Sequence, residues 1–310
     1  MAEGANSGAS AANADKVAAS SGIIALFNDY ITLTKPPIIS LLLITAIGGM
    51  FLAAAGIPSL QILTLVCVGG ALGAGGANAI NHFLDQDIDA LMSRTIKRPV
   101  PSNRIPPVAA LIFGVALNAG AFFVLAYWVN IISAVLTLAA TLFYVLIYTG
   151  WLKRNTPQNI VIGGAAGAIP PMVGWAAVTG SIDLPAVYLF TIIFFWTPPH
   201  FWALSLMIQD DYKAAGVPML PVVAGEKRTT QNIFIYSLAL VGLTLLFSFS
   251  NAVGLIYLGS AATLGAYFIY LAWKLLQDYN VRNAKYLYLF SLLYLALLFA
   301  VMLPDSVFHY

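Results

Sequence analysis

Charge is scarce in this sequence. Lysine, arginine, aspartate and glutamate make up only 8% of its 310 residues, against roughly a quarter in soluble domains, which excludes a surface wetted all round by water. Cysteine is nearly absent: the single thiol, Cys67, lies inside an apolar run, so neither an intrachain disulfide nor a cysteine-rich metal site is available. Its expected role is packing. Period-two alternation of polar and apolar residues is missing, which argues against strands and a β-barrel. The opening "MAEGANSGASAANADKVAASS" has no continuous apolar core and no Arg-rich amphipathic pattern, so neither a secretory signal nor a mitochondrial transit peptide is expected in it. Residues 1–28 are expected to be a disordered cytoplasmic tail.

What fills the chain instead is apolar. Hydrophobic residues account for 60% of it, and the mean hydropathy is +0.87. Apolar runs near twenty residues, the length that crosses a bilayer as helix, alternate with short polar breaks. They predict nine spans at 38–56, 60–80, 107–127, 129–149, 160–179, 185–207, 231–250, 252–273 and 286–303. The expected fold class is therefore all-α: a polytopic membrane protein with one nine-helix domain over residues 29–310.

The net charge of +2 says little by itself, and no nucleic-acid partner is expected. Its distribution is more telling. All fourteen basic residues fall in the N-terminal segment, in the connections after the second, fourth and sixth spans, or around the connection after the eighth. With nine alternating helices these share one side, so the positive-inside rule predicts a cytoplasmic N-terminus and a periplasmic C-terminus. The expected location is a bacterial inner membrane, with the lipid bilayer as a partner.

Two of those connections carry acid as well as base. In "NAINHFLDQDIDALMSRTIKRPVPSNR", Asn81, Asp85 and Asp89 are spaced i, i+4, i+8, one stripe if the second helix continues, with Asp87 pointing elsewhere. Topology requires no aspartates, and carboxylates at a membrane boundary are candidates for function. Such a stripe suits Mg²⁺, which keeps several waters and takes one or two carboxylates plus substrate phosphates. The second connection, "QDDYKAAGVPMLPVVAGEKR", repeats the order helix, acid, base, proline and offers Asp210 and Asp211. Together they suggest a two-sided site for a metal-bridged diphosphate. Arg94, Lys97, Arg98 and, from the second connection, Lys213 would hold phosphate oxygens that the metal leaves free. Setting topology and touching anionic headgroups is the blander role for these bases.

The Asn-x-x-x-Asp-x-x-x-Asp motif after the second of nine helices, with another aspartate-bearing loop after the sixth, resembles the UbiA-type intramembrane prenyltransferases. "TPQNIVIGGAAGAIPPMVGWAA" and "FFWTPPHFWALSLMIQDDYKAAGVPMLPVV" are similar to the branch of that family that farnesylates protohaem IX, the haem O synthases. The likeness runs from about Lys35 to the ninth helix. It implies a bundle around a central cavity open to lipid, with Mg²⁺ and farnesyl diphosphate at the cytoplasmic loops and protohaem IX as acceptor. Carried over by position, Asn81, Asp85 and Asp89 match the first metal-diphosphate motif. The second motif departs from Asp-x-x-x-Asp, since Ala214 and Ala215 stand four residues after Asp210 and Asp211. Of the two, Asp211 is favoured. A downstream haem-modifying enzyme or an oxidase assembly factor is left open as a partner.

For the acceptor, the resemblance points to His200 as a ligand or orienting group for haem, with His82, inside the metal motif, as an alternative that could equally touch diphosphate. Phe195, Trp196, Phe201 and Trp202 offer ring faces that could shield an allylic cation, or could simply pack. Asn159 is a polar group just inside the fifth helix, directed to the cavity with no assigned chemistry. Gly163, Gly164 and Gly167 with Pro170 and Pro171 predict close helix approach and a kink there. Two rival functions compete: prenylation of another aromatic acceptor such as a hydroxybenzoate or naphthoate, and cation transport. Against transport, no predicted helix centre carries Asp, Glu, Lys or Arg.

Overall fold

A computed structural model describes residues 22–308 of the chain. Among the described residues there are no strands, and nine helices are long and apolar enough to cross a membrane. The protein is an integral membrane protein. An apolar helix, α1 (Gly22–Thr34), precedes the first span. Then come α2 (Pro36–Ala54), α3 (Leu60–Leu84), the short α4 (Gln86–Leu91), α5 (Pro107–Trp128), α6 (Ile131–Asn155) and α7 (Asn159–Thr179). The chain closes with α8 (Leu184–Met207), the short α9 (Gln209–Ala214), α10 (Leu220–Phe247), α11 (Leu255–Gln277) and α12 (Val281–Phe308).

The spans agree with the sequence reading to a few residues except in two places. The tail expected over residues 1–28 lies mostly outside the described residues, but 22–28 are helical: they form the exposed first turns of an apolar helix whose later residues Tyr30 and Leu33 pack against Ala110 and Phe113 at the start of α5. Second, α10 begins eleven residues before the predicted 231, at Leu220. Pro221 sits in its first turn, where a missing N–H costs nothing. Gly225, at φ 75° and ψ 171°, takes a non-helical backbone conformation that L side chains rarely adopt and joins two helical pieces of this span across a kink. The charged "EKRTT" therefore reads as loop while lying on the helical piece after the kink.

Neighbouring spans pack in sequence around a ring, and α12 returns to α2 to close it. The most extensive contacts across the ring join α2 with α7 and α8 with α12, and α3 also meets α6 and α7. The α2–α7 contact depends on glycine: a Cβ on Gly49 would collide with the Pro171 backbone, and one on Gly174 with the Ala46 carbonyl. Small residues allow this approach where lipid offers no hydrophobic drive between helices. Gly163 and Gly164 do the same against Tyr148 of α6 and Thr197 of α8, whereas Gly167 faces open space. The predicted kink is present at Ile169–Pro170, which divides α7 into two helical pieces.

Candidate active site at the charged end

The stripe predicted over Asn81, Asp85 and Asp89 forms, although α3 ends between its members. Asp85 leaves helical geometry at φ −94°, ψ 8°, yet Asp85 N–H still donates to the Asn81 carbonyl at 2.9 Å and Asp89 N–H to the Asp85 carbonyl at 2.7 Å. The three side chains are 3%, 1% and 2% exposed. Burying ionised carboxylates is costly unless they are paired, and the chain answers each one. Lys153 Nζ lies 2.6 Å from Asp85 Oδ2, and Asn81 Nδ2 donates to the same oxygen at 2.7 Å. Arg98 Nη1 spans both oxygens of Asp89 at 2.9 and 2.7 Å. Lys35 Nζ donates to Asn81 Oδ1 at 2.7 Å, and Thr149 Oγ1 takes the amide's other hydrogen bond at 3.1 Å.

Asp87 stands apart, as the stripe argument requires. Its side chain is 60% exposed and forms a two-pronged pair with Arg154. Those hydrogen bonds hold its carboxyl down at about 2. From the other acidic segment, Asp211 Oδ2 accepts from Ser93 Oγ at 2.9 Å, which joins the two segments, while Asp210 is exposed. Arg94, Lys97 and Lys213 are exposed and form no ion pair among the described residues.

Sequence reasoning missed Lys35, Thr149 and Lys153, having used the two lysines for topology only. Lys35 is held at φ 55°, ψ 64° immediately before Pro36, a left-handed conformation that costs on the order of 1–2 kcal/mol. That backbone turns its ammonium toward Asn81. Burial, with Arg98 close by, draws the Lys35 ammonium down to about 7. Thr149 and Lys153 reach inward because α6 winds as a π-helix over Phe143–Leu152, a widened turn that recurs at functional sites. Only the lysine before the double proline carried a legible signal.

The group fits a hard cation. Asp85 Oδ1 is buried without a hydrogen bond, and the nearest guanidinium nitrogen, of Arg154 at 3.9 Å, is too distant to supply one. Among the described residues no cluster of three or more His, Cys, Asp or Glu forms a ready cage. The donors therefore suit an ion that completes its shell with water and substrate oxygens, as Mg²⁺ does.

Deeper in α8, the rings of Trp196 and His200 stack at 4.3 Å. Tyr288 of α12 covers the other face of His200 at 4.9 Å, and Phe201 stands edge-on at 5.3 Å. Phe195 and Trp202 turn instead to Tyr236 of α10 and serve as packing. His82 and Asn159 are buried, and none of their side-chain nitrogen or oxygen atoms has a hydrogen-bond partner. No ring contact or hydrogen bond joins His82 to His200 among the described residues.

The model of the UbiA prenyltransferase family matches residues 42–300. This chain belongs to that family. A Gloeobacter violaceus relative, a protoheme IX farnesyltransferase, is 52% identical over 285 residues, covering 92% of this chain and 93% of its own. A Roseiflexus relative of the same name is 53% identical over 91% of this chain, which spans only 53% of that longer protein. Among solved structures, a digeranylgeranylglyceryl phosphate synthase superposes with a TM-score of 0.75 at 21% identity, over 91% of this chain and 99% of the other. A UbiA homologue from Archaeoglobus fulgidus bound to DMAPP and Mg²⁺ gives 0.62 at 18% identity, over 88% and 99%. At those identities the two structures establish the fold alone.

Proposed function

We propose that this protein transfers the farnesyl group of farnesyl diphosphate to a vinyl side chain of protohaem IX, where water adds to the other vinyl carbon to give a hydroxyethylfarnesyl group, with Mg²⁺-assisted loss of diphosphate. The observation that carries this reading is the identity with the Gloeobacter protoheme IX farnesyltransferase, which extends over nine-tenths of both chains. Asp85 and Asp89 would hold the metal, with Asn81 and Asp211 beside them, and Mg²⁺ when bound supplies positive charge against the departing diphosphate.

The chain's own residues do the rest. Lys35, Lys153 and Arg98 are cations now satisfied by Asn81, Asp85 and Asp89. With a metal and a diphosphate held there, these three side chains would donate to phosphate oxygens, so that each carboxylate and each cation would keep a partner. Arg94, Lys97 and Lys213 stand available to phosphate from the solvent side. The aromatic group around Trp196 and Phe201 excludes water and presents ring faces to an allylic cation. His200 is the proposed contact to the haem iron, while the unpartnered atoms of His82 and Asn159 await a substrate group.

Incubation of the purified full chain with protohaem, farnesyl diphosphate and Mg²⁺ tests the reading by mass spectrometry of the recovered haem. A hydroxyethylfarnesyl-bearing haem is expected. Diphosphate release with unaltered haem would redirect the proposal to another acceptor.

We further propose that the charged end faces the cytoplasm of a bacterial inner membrane, with the N-terminus inside and the C-terminus in the periplasm. In a Cys67→Ser background, Ser102→Cys and Ala224→Cys should label only from inside and Asp183→Cys only from outside. Labelling of Ala224→Cys from outside would overturn this orientation.

A further inference from the structure

Ser291 of α12 makes an unusual number of contacts with one turn of α8. Its carbonyl accepts from the Trp196 indole N–H at 2.8 Å, and its hydroxyl lies 2.7 Å from His200 Nδ1. The same hydroxyl donates to the Tyr288 carbonyl at 2.6 Å. Trp196 and Tyr288 are the residues whose rings sandwich the His200 imidazole. One serine thus touches the histidine and both residues that clamp it.

The proton count at that hydroxyl decides the state of the imidazole. A serine hydroxyl has one hydrogen and accepts through its lone pairs, while a carbonyl oxygen only accepts. At 2.6 Å the hydrogen must lie between Ser291 Oγ and the Tyr288 carbonyl, because two oxygens that close without a proton repel. Ser291 Oγ therefore has nothing left to donate to His200, and the 2.7 Å contact is a bond from His200 Nδ1–H to oxygen. In the neutral ring the second nitrogen, Nε2, then carries a lone pair and no proton.

We infer that Ser291 is a positioning residue that holds His200 as the Nδ1–H tautomer and so presents Nε2 as a ready ligand for the haem iron. The inference rests on the proposed role of protohaem as substrate. Its physical logic is that of a ligating histidine whose other ring N–H is fixed by an oxygen acceptor, which sets both tautomer and orientation. The sandwich supplies the second constraint. With Trp196 on one face and Tyr288 on the other, the ring cannot turn to exchange Nδ1 and Nε2, and an iron porphyrin can approach only along the ring edge. Pro198 and Pro199 lie inside the same turn of α8. They lack the N–H groups that the Phe194 and Phe195 carbonyls would otherwise accept, so this stretch of α8 is held in place by α12 as much as by its own ladder.

Two measurements test this on the full chain in detergent or nanodiscs. In ligand-free protein labelled with ¹⁵N-histidine, His200 should show a pyrrole-type Nδ1 and a pyridine-type Nε2; the reverse assignment would overturn the inference with no variant needed. In protohaem titrations followed by absorbance, Ser291→Ala should weaken binding about 10–100-fold, the usual effect of losing such a partner. It should also shift the haem spectrum, with farnesyl diphosphate binding unchanged and Ser291→Thr restoring both. If His200→Ala abolishes the ligated spectrum while Ser291→Ala titrates like the parent, the positioning role falls and the haem reading stands. If His200→Ala titrates like the parent, the ligand reading falls and takes the inference with it.

Discussion

Buried aspartates occur at both ends of this bundle, and the two ends treat them differently. Asp305, near the end of α12, is 1% exposed. Its oxygens accept from the backbone N–H groups of Gly254 and Tyr257 at 2.6 and 3.0 Å, which caps the start of α11 from another helix. Those donors are fixed peptide groups at a helix N-terminus, where a negative charge is favoured. Asp85 is equally buried, yet its partners are the side chains of Lys153 and Asn81, and one of its oxygens has no hydrogen bond. A carboxylate answered by backbone is finished, whereas one answered by long cationic side chains can exchange them for a metal and a phosphate. The contrast shows that burial of an acid does not distinguish structure from chemistry. The kind of partner does.

The largest expected effect lies at Asp85. Asp85→Asn should lower the turnover of farnesyl diphosphate per folded molecule by about a hundredfold or more, the scale for losing one group that stabilises leaving-group charge. At the other end, Asp305→Asn should cost about 1–2 kcal/mol of stability, as loss of a helix cap does, while turnover per folded molecule holds. Activity lost at Asp305 without loss of stability would dissolve the distinction.

Asp87 sharpens the comparison within the charged end itself. It lies between Asp85 and Asp89 in sequence, but its side chain is exposed and pairs with Arg154 in place of joining their buried line. Asp87→Ala should reduce turnover by less than about tenfold, since exposed pairs contribute only about 0–1 kcal/mol. Equal losses at Asp85 and Asp87 would mean that the stripe is not the site.

The smallest effect belongs to Asp183, exposed in the connection before α8, where hydrogen bonds from Trp175 and Ser181 lower its carboxyl below the usual range. A carboxylate whose folded pKa is depressed stabilises the protein above its unfolded pKa of about 3.9, and that share is lost as pH falls through the folded value. The melting-temperature difference between the parent and Asp183→Asn should thus be constant at neutral pH and shrink on acidification below about pH 4. A difference that persists in acid would assign the effect to something other than this carboxyl.

Much of the charged end was legible because its signals are local. Asn81, Asp85 and Asp89 are four residues apart, and helical periodicity alone places them on one line; the break at Asp85 changes the helix without moving its neighbours off that line. The opposite cap was not legible. Asp305 falls beyond the predicted end of the ninth helix, and Gly254, 51 residues earlier, carries no mark of needing it. The second acidic segment read as loop because glycine and a run of charge usually interrupt helices; Gly225 does break the helical backbone, but helix resumes on its far side.

From the sequence by itself came the membrane, the nine spans, the one-sided charge and the acidic line, since hydrophobic length, charge and period are properties of neighbouring residues. The tertiary structure decided the pairings: Lys35 with Asn81 across 46 residues, Lys153 with Asp85 across 68, and Ser291 with His200 across 91. These depend on which helices lie side by side, and in lipid that is governed by shape and by close approach at small residues such as Gly49, Gly174 and Gly164. Hydrophobic pattern is nearly uniform around such helices, so it cannot say which face meets which. The contacts at individual backbone atoms can, and they exist only in the assembled ring.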